Sequence, residues 1–385
     1  MVELMGLADA LEAGADDQNG REILTKLAAE LERRGITAEE IGRLSRVSMW
    51  QGLTKNDDGE AELHDLYGFR IEPTWADGPE WPVVQQAAPV RLPPIKAKPK
   101  PSNGSRVTVI LPDPQIGFRR IDSELTATHD EAAMAVSLKV AKAAQPDRIV
   151  NLGDHIDLPE WSSKFLVTPE FVETTQPALD EGHRFLARQV AICDDVDLLE
   201  GNHDDRLAIS VAANASAALR LRPAATPPDT WPVLSMQSLL RIDDLGVTYH
   251  DGYPANRTKL TAGTDEQTPL YAIHGEALDV AKSAKMARQS YVQGHIHRRA
   301  MHCETYEVDG RPIVVMVWSP GCLSRIDGAV PSTKSAKTRQ RHLTRWENWQ
   351  QGMGVVTEHD DGSWSAEIVP IHRGEAWWRG KVYEA

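Results

Sequence analysis

Five times in this chain a short apolar run ends directly in Asp, Asn or His. Val107-Thr108-Val109-Ile110-Leu111 leads to Asp113-Pro114-Gln115, and Arg148-Ile149-Val150-Asn151-Leu152 leads to Gly153-Asp154-His155-Ile156-Asp157. Val196-Asp197-Leu198-Leu199-Glu200 leads to Gly201-Asn202-His203-Asp204, Leu270-Tyr271-Ala272-Ile273 to His274-Gly275, and Tyr291-Val292 to Gly294-His295-Ile296-His297. Runs this short and apolar are strands, and the loops at strand ends are where sites are built. Gly, Asp and Asn are also ordinary turn residues, so each stretch alone reads as a polar turn. Five in succession do not. They point to a sheet structure that gathers Asp, Asn and His side chains at strand ends, where sites are built.

Taken in order, the stretches resemble the calcineurin-like metallophosphoesterase superfamily, which reads Asp-x-His, Gly-Asp-x-x-Asp, Gly-Asn-His-Asp/Glu, His and Gly-His-x-His. The resemblance spans residues 105 to 320, and one position departs from it: Gln115 stands where the family has imidazole. It implies an α/β fold, a four-layer β-sandwich of two sheets packed face to face with helices outside. It also implies two divalent cations about 3.5–4 Å apart that clamp a phosphoryl group. Carried over by motif, Asp154 bridges the cations, Asp113, His297 and Gln115 hold the first, and Asn202, His274 and His295 hold the second. A mixed carboxylate, amide and imidazole set without thiolate suits Mn²⁺ best, with Fe, Zn²⁺, Ni or Mg²⁺ as alternatives. An amide is a poorer ligand than imidazole, so two roles stay open for Gln115: a weak ligand, or a hydrogen-bond partner of a bound water. His203 is the expected general acid, with Asp157 orienting it and raising its pKa. His155, His183, His250, His302 and His372 lack motif support and read as structural or surface residues.

The chain of 385 residues is long enough for two domains. A net charge of −14 argues against a chain-wide nucleic-acid surface while leaving room for a local basic patch. Cys193, Cys303 and Cys322 follow no pairing pattern and suit a reducing compartment. No signal peptide and no apolar run long enough to span a membrane is evident, so a cytoplasmic protein is expected. An accessory domain combined with an Asp-x-Gln first motif resembles phage-encoded members, for which the compartment is the host cytoplasm.

Residues 1–81 are expected to form a small helical accessory domain, residues 82–104 a Pro/Lys-rich linker, and residues 105–385 the metallophosphoesterase domain with an aromatic-rich C-terminal extension. Ile23, Leu24, Leu27, Ala28 and Leu31 repeat at helical spacing over residues 21–34, and Gly35 ends the pattern. Thr37-Ala38-Glu39-Glu40 reads as a capping box opening a second helix with Ile41 and Leu44. Asn56-Asp57-Asp58-Gly59 followed by alternating Leu63, Asp65, Tyr67 and Phe69 reads as a β-wing. Two readings stay open, a winged-helix nucleic-acid module and a protein-docking domain. Residues 1–95 carry nine Lys/Arg against eighteen Asp/Glu, which favours docking.

Beyond residue 105, helices are expected over residues 129–144, 178–192 and 205–221. Strands are expected at Val247–His250, Leu270–His274, Tyr291–Gly294, Thr305–Val308 and Ile313–Trp318. Trp161 and Lys164 are expected in a loop over the metals. Residues 331–345 carry five Lys/Arg and no acid, either a solvated loop or a flap steering a polyanion. Trp346, Trp349, Trp364, Trp377 and Trp378 are expected to pack the C-terminal extension onto the domain. The function that follows is hydrolysis of a phosphodiester, in nucleic acid or a nucleotide, by in-line attack of metal-activated water. The alternatives are a phosphomonoesterase or protein phosphatase of the same family, and a non-catalytic binding protein on a degenerate scaffold.

Overall fold

The structure is a computed structural model. It describes residues 29, 33, 43–55, 61–72, 104–121, 124–163, 168–331 and 347–385. The chain divides into two compact units, Met1–Ala88 and Pro89–Ala385.

In the first unit, β1 (Arg43–Lys55) and β2 (Ala61–Glu72) form an antiparallel hairpin. This corrects the expected second helix, because Leu44 lies in a strand, as do Arg43 and Arg46. The physical reason is cross-strand pairing. The alternating Leu63, Asp65, Tyr67 and Phe69 find Leu53, Gln51, Met49 and Val47 opposite them in register, and such pairs outweigh a weak local helix preference. Ala29 and Arg33 are helical. The rest of the first expected helix, the capping box, the Asn56–Gly59 turn and the proline-rich stretch 82–103 lie outside the described residues.

The second unit runs through β3 (Arg106–Leu111), a small hairpin of β4 (Phe118–Ile121) and β5 (Glu124–Ala127), β6 (Arg148–Asn151), β7 (Val196–Leu199), β8 (Thr248–His250), β9 (Arg257–Lys259), β10 (Leu270–Ile273), β11 (Ser290–Gln293), β12 (Arg299–Val308), β13 (Arg311–Pro320), β14 (Gly352–Glu358), β15 (Trp364–His372), β16 (Glu375–Trp378) and β17 (Lys381–Glu384). One sheet has eight strands in the order β17-β16-β15-β14-β3-β6-β7-β8, and another has five in the order β12-β13-β11-β10-β9. Strands β3, β6, β7 and β8 are parallel, as are β10 and β11. Their C-terminal ends therefore share an edge within each sheet.

Helices α1 (Glu131–Ala144), α2 (Thr175–Val190) and α3 (Arg206–Asn214) connect the parallel strands, followed by the short α4 (Met236–Leu239), α5 (Ile242–Leu245) and α6 (Val280–Met286). The sequence pattern explains how the layers pack. Successive residues of a strand point to opposite faces, and the buried strand residues divide accordingly. Val109, Leu111, Ile149, Leu198 and Val355 join one core with Val136, Val140, Phe185 and Leu186 of α1 and α2. Their neighbours Ile110, Val150, Leu199 and Val356 join a second core with Leu270, Ala272, Val292 and Trp318 of the five-stranded sheet. With both faces covered, these strands read as unbroken apolar runs rather than as alternation. A third cluster seats Val280 and Ala284 of α6 against Val317 of β13.

Helix α1 starts at Glu131 because the Asp130 carboxylate caps it, accepting from the Ala133 amide at 2.9 Å. Helix α3 ends at Asn214, short of the expected residue 221. Beyond Val211 its residues are exposed, and a helix with no core beneath it is not sustained. At the C-terminus Trp364 and Trp378 are buried, whereas Trp377 is exposed and Trp346 is outside the described residues.

Trp318 sits at the meeting of the two sheets, and a Cβ added at Gly354 would lie 2.7 Å from its ring. Gly354→Ala is expected to cost about 1–3 kcal/mol by overpacking, and Trp318→Ala about 3–5 kcal/mol by cavity formation. Urea unfolding checks both. An unchanged midpoint for Gly354→Ala would mean the sheets do not meet this closely.

Candidate metal centre

Each anticipated ligand sits just past a strand end: Asp113 and Gln115 after β3, Asp154 and Asp157 after β6, Asn202 and His203 after β7, His274 after β10, and His295 and His297 after β11. The loops are unusual in backbone. Asp113, Gln115, Asp154, His295 and His297 have φ of 39°, 45°, 49°, 66° and 54°. Each such non-glycine residue costs on the order of 1 kcal/mol, a strain concentrated at functional sites.

Hydrogen bonds between loops hold this conformation. The Gln115 amide donates to Asp154 O at 2.9 Å, Ile116 N to His155 O at 3.0 Å and Asp157 N to Ile116 O at 2.9 Å. Carboxylates reach across as well: Asp113 Oδ1 accepts from His295 N and Asp154 Oδ1 from His203 N, each at 2.8 Å. Two glycines permit this approach. A Cβ at Gly294 would lie 2.6 Å from Asp113 Oδ2, and one at Gly201 would lie 2.3 Å from Asp154 Oδ1.

The result is two groups of buried or half-buried side chains that share one carboxylate. Asp154, His274 and His295 form one, Asp113, Asp154 and His297 the other, with the ligand atoms of each group within 4.8 Å of one another. Asn202 belongs with the first group: its Oδ1 lies 2.8 Å from His295 Nδ1 and 3.1 Å from His274 Nε2. His274 Nδ1 donates to Leu152 O at 2.8 Å, which turns Nε2 towards the centre.

The donor set fits divalent cations. Asp113 Oδ2, Gln115 Oε1, Asp157 Oδ2 and His297 Nδ1 are buried without a hydrogen-bond partner. Buried acceptors in that state are costly unless something satisfies them. Burial pushes the Cys322 thiol up to about 12, and Cys322 belongs to neither His/Asp group.

The charges at the centre are coupled. Burial works to raise the Asp154 pKa, but the His203 and His274 charges and the His203 amide outweigh it and hold Asp154 below the usual carboxylate range. Burial works to lower His274, but the Asp154 and Asp113 carboxylates overcome it and raise the value. Burial, helped by the His274 charge, pushes His295 down to about 4, so its imidazole is neutral at neutral pH and free to ligate.

His203 stands at the rim of this centre. Its Nδ1 lies 2.6 Å from Asp157 Oδ1 and its Nε2 lies 3.7 Å from Asp154 Oδ2. Gln115 Nε2 lies 3.5 Å from both ring nitrogens of His203. The Gln115 amide therefore lies in the site, its nitrogen towards His203 and its oxygen unpartnered.

Three residues at the site, Arg206, Asp204 and Tyr253, were given no role from sequence, and Trp349, expected only to pack the C-terminal extension, lies against His297. Arg206 Nη1 donates to the Asp157 carbonyl and lies 3.4 Å from its Oδ1. Asp204 accepts from His155 N, Ile156 N and Gly201 N at 2.9–3.2 Å, tying two loops together. The Trp349 ring meets His297 edge-on with centroids 4.2 Å apart, and Tyr253 meets His274 at 5.6 Å. Asp204 could have been found as the last residue of its motif. Trp349 carries no local signal.

The histidines without motif support lie away from the centre. His155, His183, His250 and His302 pair with Gly182 O, Leu240 O, Asp197 and Glu304, and His372 is exposed. Trp161 packs against the main core and donates to Thr175 Oγ1 at 3.0 Å, rather than lying free over the site. Lys164 and the basic stretch 332–345 lie outside the described residues.

No protein-family model matches this chain, and no curated protein matches it. Among solved structures, the phosphoesterase Yfce of E. coli aligns with 68% of this chain and 98% of its own at 11% identity, with a TM-score of 0.28. A likeness at that score carries no argument.

Asp204 is the tie most open to test. Burial and the Asp154 charge push it up to about 7, against the three amides that pull it down. Asp204→Asn replaces an acceptor oxygen by an NH₂ facing an N–H, and is expected to cost about 1–3 kcal/mol at pH 8. The folded pKa of Asp204 lies above its unfolded value, so the folded wild type takes up a proton that the unfolded chain does not hold between about pH 4 and 7. Its stability through this group thus falls as pH rises. With both proteins metal-free, the gap between wild type and variant should widen from pH 8 to pH 5. Urea midpoints at the two pH values check this, and equal stabilities would remove Asp204 as a tie.

Proposed function

We propose that this protein is a dinuclear-metal phosphoesterase of the calcineurin-like kind, acting on a phosphodiester in nucleic acid or a nucleotide. The observation that carries the reading is the pair of His/Asp groups sharing Asp154, set among orphaned buried acceptors. In this reading the two packed sheets and their helices are the four-layer sandwich of that superfamily. Asp113, His297 and Gln115 would hold one cation, Asn202, His274 and His295 the other, with Asp154 shared between them. Such a pair, Mn²⁺ by preference, supplies Lewis-acid activation of the phosphoryl group and of an attacking water.

The remaining roles belong to the chain's own residues. The short bond from Asp157 to Nδ1 fixes the His203 ring and leaves Nε2 to carry a proton to the departing oxygen. Arg206 holds Asp157 in turn. Gln115, with its nitrogen against His203 and its oxygen free, links the proton donor to the cation site. We assign the protein to the cytoplasm, in keeping with its three free cysteines, and assign the acidic N-terminal unit to docking a protein partner.

Asp154→Asn is expected to lose most bound metal and most activity, because it removes the charge shared by both groups. Two metals per chain by elemental analysis, with full activity, would overturn the bridge. His203→Asn separates catalysis from binding. It is expected to lose about 10²–10⁴-fold in rate on esters with poor alkoxide leaving groups, far less on bis-p-nitrophenyl phosphate, and no metal. Equal losses on both substrates would withdraw the proton-donor role. Failure of wild type to turn over any ester with Mn²⁺ would favour a binding protein, for which the weak Gln115 ligand is the motivating feature.

A further inference from the structure

A cavity of about 340 Å³ opens beside the metal centre, and Trp349 forms a wall common to both. Its lining includes Arg299, Arg325, Arg373, Asp130 and Asp327. The two acids are already engaged. Asp130 caps α1 and accepts from Gln351 Nε2 at 2.7 Å, while Asp327 pairs with Arg325 and accepts from Ala329 N at 3.1 Å. Arg325 is engaged too, donating to Asp327 and to Ala127 O. Arg299 and Arg373 have no acidic partner within salt-bridge distance among the described residues. The Arg299 stem lies along the Gly321 and Gly352 backbone, its Cγ and Cδ each 3.1 Å from where a Cβ would stand, and the residue lines the cavity.

Trp349 is anchored. The next residue, Gln350, donates its amide to His297 O at 2.8 Å and accepts from Cys322 N at 3.1 Å. A half-buried indole touching His297, beside two arginines with no acidic partner among the described residues, offers an aromatic platform next to a phosphate clamp. The other group of the centre has its own ring, since Tyr253 meets His274. Glu200 holds the Tyr253 loop, accepting from Gly252 N and Tyr253 N at 2.9 and 3.1 Å. A planar surface thus stands beside each half of the centre, which suits a phosphate with a base on either side better than a small monoester.

The geometry points to the cavity beside His297 as the subsite for the nucleotide flanking the scissile phosphodiester of a single-stranded nucleic acid. Its base stacks on Trp349 and its next phosphate sits between Arg299 and Arg373; this rests on the phosphoesterase reading above. The cavity lining carries three arginines against two aspartates, a small local positive excess in a chain of net charge −14.

The test uses the full chain with Mn²⁺ and a fluorescein-labelled single-stranded oligonucleotide whose phosphorothioate linkages resist hydrolysis. Binding is read by anisotropy across a salt series, so it does not depend on turnover. The double variant Arg299→Glu/Arg373→Glu is expected to weaken binding at least tenfold and to reduce the salt slope by about 0.7 for each phosphate no longer neutralised. Trp349→Ala is expected to weaken binding about 5–100-fold, with Trp349→Phe restoring most of it. Metal content is measured in each variant because Trp349 abuts His297. The subsite is overturned by unchanged affinity and slope in the arginine variant, by equal affinity for duplex, or by tighter binding of a phosphopeptide. Hydrolysis of bis-p-nitrophenyl phosphate by wild type tests the underlying reading separately. Turnover with oligonucleotide binding indifferent to the arginines keeps that reading and discards the subsite. No turnover, with binding that depends on the arginines and Trp349, discards that reading and with it the scissile bond, and leaves the cavity as an oligonucleotide-binding site alone.

Discussion

The buried carboxylate of Asp154 is the constraint around which the rest of the molecule is arranged. It belongs to both His/Asp groups, accepts the His203 amide, and lies so close to Gly201 that no side chain fits there. Asp113, Asp157 and Asp204 are buried in the same set of loops. Four carboxylates in a low-dielectric interior repel one another and forfeit hydration, and the cost is tolerated only with compensating donors or cations. The protein supplies backbone amides to Asp113, Asp154 and Asp204, and Arg206 and His203 to Asp157. Asp113 Oδ2 and Asp157 Oδ2 stay buried without a hydrogen-bond partner among the described residues. The left-handed backbone at Asp113, Gln115, Asp154, His295 and His297 goes with the same crowding, since these turns bring several polar groups into one small volume.

Much of the second unit was legible because burial on both faces leaves a plain mark. Strands with Val109 facing helices and Ile110 facing the other sheet must be apolar at every position, and such runs stand out in a sequence. The polar residues that end them were legible for the same reason. Helix ends were less so: residues 215–221 could continue α3 by propensity, and only the lack of a core beneath them ends it. In the first unit the expected second helix, bearing Ile41 and Leu44, is overturned at Leu44 for a tertiary reason. Leu44 and the residues before it fit a helical spacing, and the partner strand that decides otherwise lies beyond the Asn56–Gly59 turn.

Within the centre, the residues that escaped notice act over long separations in the chain. Asp204 and Arg206 adjoin a recognisable motif, yet their roles depend on loops some 49 positions away in sequence. Trp349 and Tyr253 are further removed, and nothing near them in the chain marks them as neighbours of His297 and His274. A motif records the side chains that must point inward. The surfaces that surround them are assembled from chain segments with no motif of their own.

Gln115 illustrates how one substitution in a pattern can be tested against geometry. An amide in place of imidazole weakens a ligand, and taken alone it suggests decaying chemistry. In the folded chain Gln115 lies within the centre: φ of 45°, its backbone N–H on Asp154 O, its side-chain nitrogen 3.5 Å from His203 and its oxygen buried without a partner. A residue retained only by drift has no reason to keep a strained backbone or a buried unsatisfied oxygen, because both lower stability. The strain at Gln115 is therefore better explained by a demand at the centre for a neutral amide beside His203. Unlike imidazole, the amide takes up no proton near neutral pH and adds no second charge beside His203.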